Sequence, residues 1–254
     1  MKAIAIFTHA LRMVLGNAGA ALRLGAVALV VMVALNVSVG REMILSSVPG
    51  QQMMPSPATL FLSLARFVTG LWVAVAWHRY ILIEETPGAF LPPWHGAAIW
   101  RYVKAGVILG LVLAAVFIPF MAVSGLILAP MMGATSASPG MLVVLIGFLV
   151  VFLPAGYVFY RLAPILPAAA IGNRLTLREA WFQTSTGGGA IFGLTLISVL
   201  ASWLVQVPGT LLGQISVPLG LLCMAVVQWL VMLVGVSIMT TLYGHYIEKR
   251  DLNA

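Results

Sequence analysis

Six long apolar runs, at about 20–39, 58–79, 105–129, 141–161, 189–207 and 218–243, decide what this chain can become. Each is about 20 residues or slightly longer. At roughly 1.5 Å of rise per residue, each covers the ~30 Å hydrocarbon core of a bilayer. None alternates with period two. Backbone polar groups in lipid must bond within their own segment, so the runs read as helices and not as barrel strands. Charged residues make up 7% of the 254 positions and hydrophobic ones 62%. A soluble domain carries roughly a quarter charged residues, so a soluble globular protein is excluded. The expected fold is all-α, a polytopic membrane protein with six transmembrane helices forming one integral membrane domain over 1–254.

Charge placement orients the helices. Residues 40–57, 130–140 and 208–217 are rich in Pro, Gly, Ser and Met and contain one basic residue, Arg41, beside Glu42. The other connections and the two ends hold eleven: Lys2, Arg12, Arg23, Arg79, Arg101, Lys104, Arg161, Arg174, Arg178, Lys249 and Arg250. The positive-inside rule then predicts both termini in the cytoplasm. The net charge of +7 is thus a topology signal, with anionic lipid contact as its second use, and nucleic acid is not an expected partner. Aromatic, histidine and basic residues gather at the same span ends. Arg12, Trp77, His78, Arg79, Trp100, Arg101, Tyr160, Arg161, Trp181, Tyr243 and His245 are predicted as interfacial anchors.

Pairing the runs gives a repeat of about 84 residues, with hairpin units at about 1–85, 86–170 and 171–254. The odd spans open on small residues four apart: Ala21–Gly25, Gly106–Gly110 and Gly189–Gly193. Small residues let backbones approach closely, so these six are predicted at helix–helix contacts. An amphipathic stretch precedes each hairpin, at Phe7 to Val14, Trp94 to Val103 and Leu177 to Phe182. Each is expected as an elbow helix lying in the interface. In the third, Thr176-Leu177-Arg178-Glu179 fits a capping box.

Catalytic patterns are sparse. The only aspartate is Asp251 and the only cysteine is Cys223, which removes paired membrane aspartates and any disulfide within the chain. His78, Glu84, Glu85 and His95 are metal-ligand types, but their spacing fits no zinc pattern, and Glu84 and Glu85 are expected to be solvated. No catalytic residue, metal or cofactor is expected. Two polar residues fall near the middle of spans two and six. Arg66 lies nine residues after Pro57 and Gln228 ten after Pro218, which puts both about 14 Å below the outer boundary. A central arginine costs roughly 2.5–3.5 kcal/mol on insertion scales, and no acid lies within a span to pair with it. Arg66 and Gln228 are the candidate intramembrane polar centre, set against the alternative that Arg66 snorkels outward.

Three stretches carry a resemblance: Trp77 to Glu85, Thr176 to Thr184 (TLREAWFQT) and Thr240 to Arg250 (TTLYGHYIEKR). With the elbow-and-hairpin layout they resemble uncharacterised six-span bacterial inner-membrane proteins. More distantly, they resemble the membrane domain attached to some glycerophosphoryl diester phosphodiesterases. That resemblance implies no catalytic residues in the membrane part, and an accessory or membrane-organising role. The expected function is therefore non-enzymatic, through membrane lipids or a membrane-protein partner. The alternative is a small-molecule or lipid transporter with its polar centre at Arg66, and an enzyme acting on lipid is the third.

Overall fold

The computed structural model describes residues 2–46, 54–88, 91–133 and 141–252, all helix and connection with no strand among them. The helices are α1 (Lys2–Gly16), α2 (Ala18–Ser46), α3 (Pro57–Ile83), α4 (Gly96–Gly133), α5 (Met141–Leu162), α6 (Ile165–Ile171), α7 (Leu177–Gln183), α8 (Gly188–Leu204), α9 (Val207–Ile215) and α10 (Val217–Tyr246). A 3-10 turn, Ser185–Gly187, leads into α8. Five segments are long and apolar enough to cross a membrane: Ala18–Met43, Pro57–Ile83, Gly96–Val123, Ser185–Ile215 and Val217–Tyr246. They match five of the six apolar runs. Parts of the expected outer connections, 47–53 and 134–140, lie outside the described residues.

The starts and stops follow local chemistry. Ser56 caps α3, its Oγ accepting from the Thr59 amide, and Pro57 fills the first helical position, where no amide donor is needed. The Glu42 carboxylate on α2 accepts from the Ser56 amide at 2.8 Å and the Thr59 hydroxyl at 2.6 Å, which ties the end of α2 to the start of α3. Thr176 and Glu179 form the expected capping box at the head of α7. Their hydrogen bonds, to the Thr176 amide and hydroxyl, hold the Glu179 carboxyl below the usual glutamate range.

α10 is the hub, packing against α9, α2, α1 and α3. The main core lies among α2, α3 and α10, where Leu24, Met32, Val73, Trp77 and Leu233 are buried together. A second cluster joins α1 to α8 and α10 through Ile6, Ala10, Ile191, Leu194 and Leu242. The buried residues of α1, Ile6, Ala10 and Val14, recur every fourth position and make one apolar stripe.

The elbows divide. α1 is a separate helix, broken from α2 at Asn17, whose side chain turns back to the Met13 carbonyl. α7 is also separate. The second expected elbow does not exist as such, because α4 runs unbroken from Gly96 through the apolar segment. A charged amphipathic stretch and a span share the same helical period, and no Gly, Pro or cap residue lies between Arg101 and the span to part them. Two short helices, α6 and α7, fall instead between α5 and α8. The third hairpin is also open, since α8 packs against α1 and α5 while α9 and α10 pack on each other.

Candidate functional site

Among the described residues, four groups of titratable and polar side chains bear on the expected sites. The first is a polar seam between α3 and α10. Trp77 Nε1 donates to Ser237 Oγ at 2.8 Å, and His78 Nδ1 lies 2.8 Å from Thr240 Oγ1. The Thr240 hydroxyl proton goes to the Val236 carbonyl. His78 Nδ1–H is therefore the donor to Thr240, which leaves Nε2 to accept from the Tyr102 hydroxyl, 3.5 Å away on α4. Trp77 and His78 are fully buried, and Tyr243 nearly so. Their sequence positions suggest interfacial anchors, and the structure shows all three buried between helices. They pin helices together, and the ring N–H groups of Trp77 and His78 each meet a hydroxyl acceptor, as burial in a low-dielectric interior requires.

The second place is Arg161, buried at 5% exposure with no carboxylate beside it. Its Nε donates to Thr184 Oγ1 at 2.8 Å, NH1 to the Tyr157 hydroxyl at 2.8 Å and NH2 to the Trp181 carbonyl at 2.5 Å. The guanidinium stacks 4.0 Å above the Trp181 ring. A planar fork of five donors can be satisfied by neutral oxygens and a π-face in this way, which a lysine cannot reproduce. Arg161 thus latches α5 to α7 and to the start of α8.

The third place is the connection from α3 to α4. Glu85 bridges Arg79, at 2.5 Å, and His95, and Arg79 also donates to the Ala170 carbonyl at 3.2 Å. Glu85 is therefore paired and not solvated as expected, because the loop folds back across ten residues of sequence. Glu84 ends α3 in the left-handed region, at φ 53°. Among the described residues no three metal-ligand side chains converge.

The fourth place is Arg66. It is exposed, on the rim of an open groove of about 490 Å³ that it shares with Ser63, Phe67, Met32, Met232 and Tyr102. Its guanidinium makes no hydrogen bond or ion pair to a described residue. Gln228 is half-buried and does not line that groove, so the two are not brought together there.

The remaining expected residues scatter. Arg12 and Trp100 are exposed, and Trp181 carries Arg161 on its ring. Arg101 donates to the Ala169 carbonyl, and His245 Nδ1 meets the Arg250 carbonyl at 3.1 Å. Tyr160 is half-buried between two grooves. Of the small residues, Ala21 is buried, Gly25 lies against Trp229 and Gly193 against Ala3 of α1. Gly106 reaches only Leu166, at 4.0 Å, and nothing described lies within 4 Å of a side chain added at Gly110 or Gly189. Those two do not make the expected close contact.

Sequence reasoning missed an open groove of about 730 Å³ between α4, α5 and α8. Its signal was present in the order Thr195, Ser198, Ser202 and Gln206, one polar residue per turn on an apolar helix. Comparison with protein-family models, with curated proteins and with solved structures yields no match.

Proposed function

We propose that the protein is a non-enzymatic, six-span integral membrane protein of the bacterial inner membrane that works through contacts with lipids or with a membrane-protein partner. In this reading α5, 22 residues long with Arg161 in its last turn, is the sixth span. Both termini are cytoplasmic, and α1 and α7 lie along the cytoplasmic surface as elbows of a three-hairpin plan. The eleven-to-one basic asymmetry supports the orientation.

One observation carries the functional reading. The middle of the bundle is filled by Leu24, Ala28, Met32, Val73, Trp77 and Leu233, while the open volume lies in grooves on its flanks. Solute pathways line a hydrated interior with ionisable groups and broken helices. Flank grooves walled by apolar side chains meet hydrocarbon instead. The resemblance to six-span inner-membrane proteins supports the same accessory, membrane-organising role.

The test is reconstitution of the purified chain into vesicles, with native mass spectrometry for retained lipid and a parallel assay of solute flux. Retained lipid without flux is the expected result. Flux of a water-soluble solute overturns the reading in favour of a transporter. The placement of Arg66 on an open groove with Ser63 and Tyr102 is the observation that favours that second reading.

A further inference from the structure

The groove between α4, α5 and α8 has two unlike sides. Its far wall is apolar, made by Leu113 and Phe117 of α4 with Phe152 of α5, and the two phenylalanines meet edge to face at 5.7 Å. Its near side is a polar line formed by Thr195, Ser198 and Ser202 of α8 with Gln206 in the turn that follows it. Three of the four spend their donors on their own helix: Thr195 on the Ile191 carbonyl, Ser202 on the Ser198 carbonyl and the Gln206 amide on the Ser202 carbonyl. Their oxygens keep free lone pairs, and the Gln206 amide keeps a second hydrogen. Ser198 differs. Its hydroxyl is buried beside the Tyr160 hydroxyl, yet completes no hydrogen bond of normal geometry.

Ser/Thr/Gln lines within spans ordinarily bridge to a neighbouring helix. Among the described residues no helix covers the line, since α8 packs against α1 and α5 and the groove stands open toward α4. The line extends eleven residues, or about 16 Å, roughly half the thickness of the hydrocarbon core. None of the residues lining the groove is charged, and Arg161, one position beyond Tyr160, is committed to Thr184, Tyr157 and Trp181. An ionised headgroup would lose its hydration without gaining a counter-charge, at a cost of several kcal/mol. An uncharged headgroup with a hydroxyl and ester carbonyls would not. Its hydroxyl can donate to Ser198 or Ser202 and its carbonyls can accept from Tyr160 or Gln206, while an acyl chain lies along Phe117 and Phe152.

We infer that this groove is a binding site for a neutral, hydroxyl-bearing lipid of the diacylglycerol class. The inference rests on the proposed lipid-contact role and names the lipid class and the residues that take it.

The experiment uses the full chain in nanodiscs of phosphatidylethanolamine and phosphatidylglycerol. They are doped with diacylglycerol carrying a photoactivatable acyl chain, or with the same probe as phosphatidic acid. Cross-links from diacylglycerol are expected on peptides spanning 113–117, 152–160 and 195–206, and those from phosphatidic acid are expected to be sparse there. Ser198→Ala with Ser202→Ala removes two hydrogen-bonding partners and is expected to cut labelling on the order of tenfold or more. Ala155→Phe fills the groove and is expected to abolish labelling with the thermal midpoint kept. Ala114→Phe, on the opposite wall, replaces it should that variant fail to fold. Equal labelling by phosphatidic acid, or labelling indifferent to both kinds of variant, overturns the inference while leaving lipid retention intact. Solute flux through the wild-type chain overturns the reading on which it rests.

Discussion

Trp229 on α10 donates its indole N–H to the main-chain carbonyl of Gly25 on α2 at 2.9 Å, and the ring lies where a side chain at position 25 would begin. A Cβ there would stand 2.5 Å from the indole nitrogen. The absence of a side chain thus brings the two helices within reach of a hydrogen bond from one side chain to the other's backbone. Gly25→Leu is expected to destabilise by about 1–3 kcal/mol, because a rigid bicyclic ring has little freedom to move aside. Gly110→Leu, facing open space, is the matched control, expected within about 0.5 kcal/mol of wild type. Thermal unfolding of both variants in the same detergent checks the contrast, and equal losses would show that the close approach at Gly25 has no special weight.

Arg161 offers a second measurement. Because its three hydrogen bonds go to neutral oxygens and its face to Trp181, the site needs a planar fork more than it needs a charge. Arg161→Lys is expected to cost about 1–3 kcal/mol despite keeping the charge, since one ammonium cannot reach three acceptors set around a plane. Faster hydrogen exchange over 177–190 would accompany it. Stability equal to wild type would mean that the charge alone matters.

The head of α7 gives a pH dependence. The Glu179 carboxyl is held below its ordinary value by bonds to the Thr176 amide and hydroxyl. A lowered folded-state value means that this contribution is present above pH 4.5 and is lost as pH falls below it through the folded-state value. Amide exchange in 177–183 is expected to quicken over that acid range in the wild-type chain. Glu179→Gln keeps a side-chain acceptor and is expected to show a flat profile. An identical acid transition in both would place the titration elsewhere.

What the sequence disclosed and what it hid divide along a physical line. The five described spans, the break at Asn17 and the Thr176–Glu179 cap are set by local period and local hydrogen bonds, so they are legible. Trp77 and His78 read as interfacial in sequence because an aromatic-basic cluster ends a span. Their rotational position on α3, toward Ser237 and Thr240 of a helix 160 residues later, is a tertiary fact. The pairs Ala21–Gly25 and Gly106–Gly110 look alike as strings, yet only the first faces a partner, because the spacing of small residues fixes a helix face without saying what lies opposite. The polar line on α8 was readable, but its meaning depends on α4 standing away from it.

Arg66 is a charged residue that the packing of the described helices does not use. With no described partner and an exposed place on the groove rim, it contributes nothing that folding would miss. At the mid-membrane depth that its sequence position suggests, removing it also removes an insertion cost of roughly 2.5–3.5 kcal/mol. Arg66→Leu is therefore expected to raise membrane insertion and to leave thermal stability unchanged or higher, while Arg161→Lys lowers it. The same variant separates the functional readings. If the chain works through flank contacts with lipid, the lipids retained in native mass spectrometry change little, because the α4–α5–α8 groove is untouched. If Arg66 is the centre of a solute pathway, flux is abolished by Arg66→Leu and unaffected by Arg41→Leu. A clear fall in thermal stability for Arg66→Leu would contradict both, and would show that the guanidinium has a structural partner in the assembled protein.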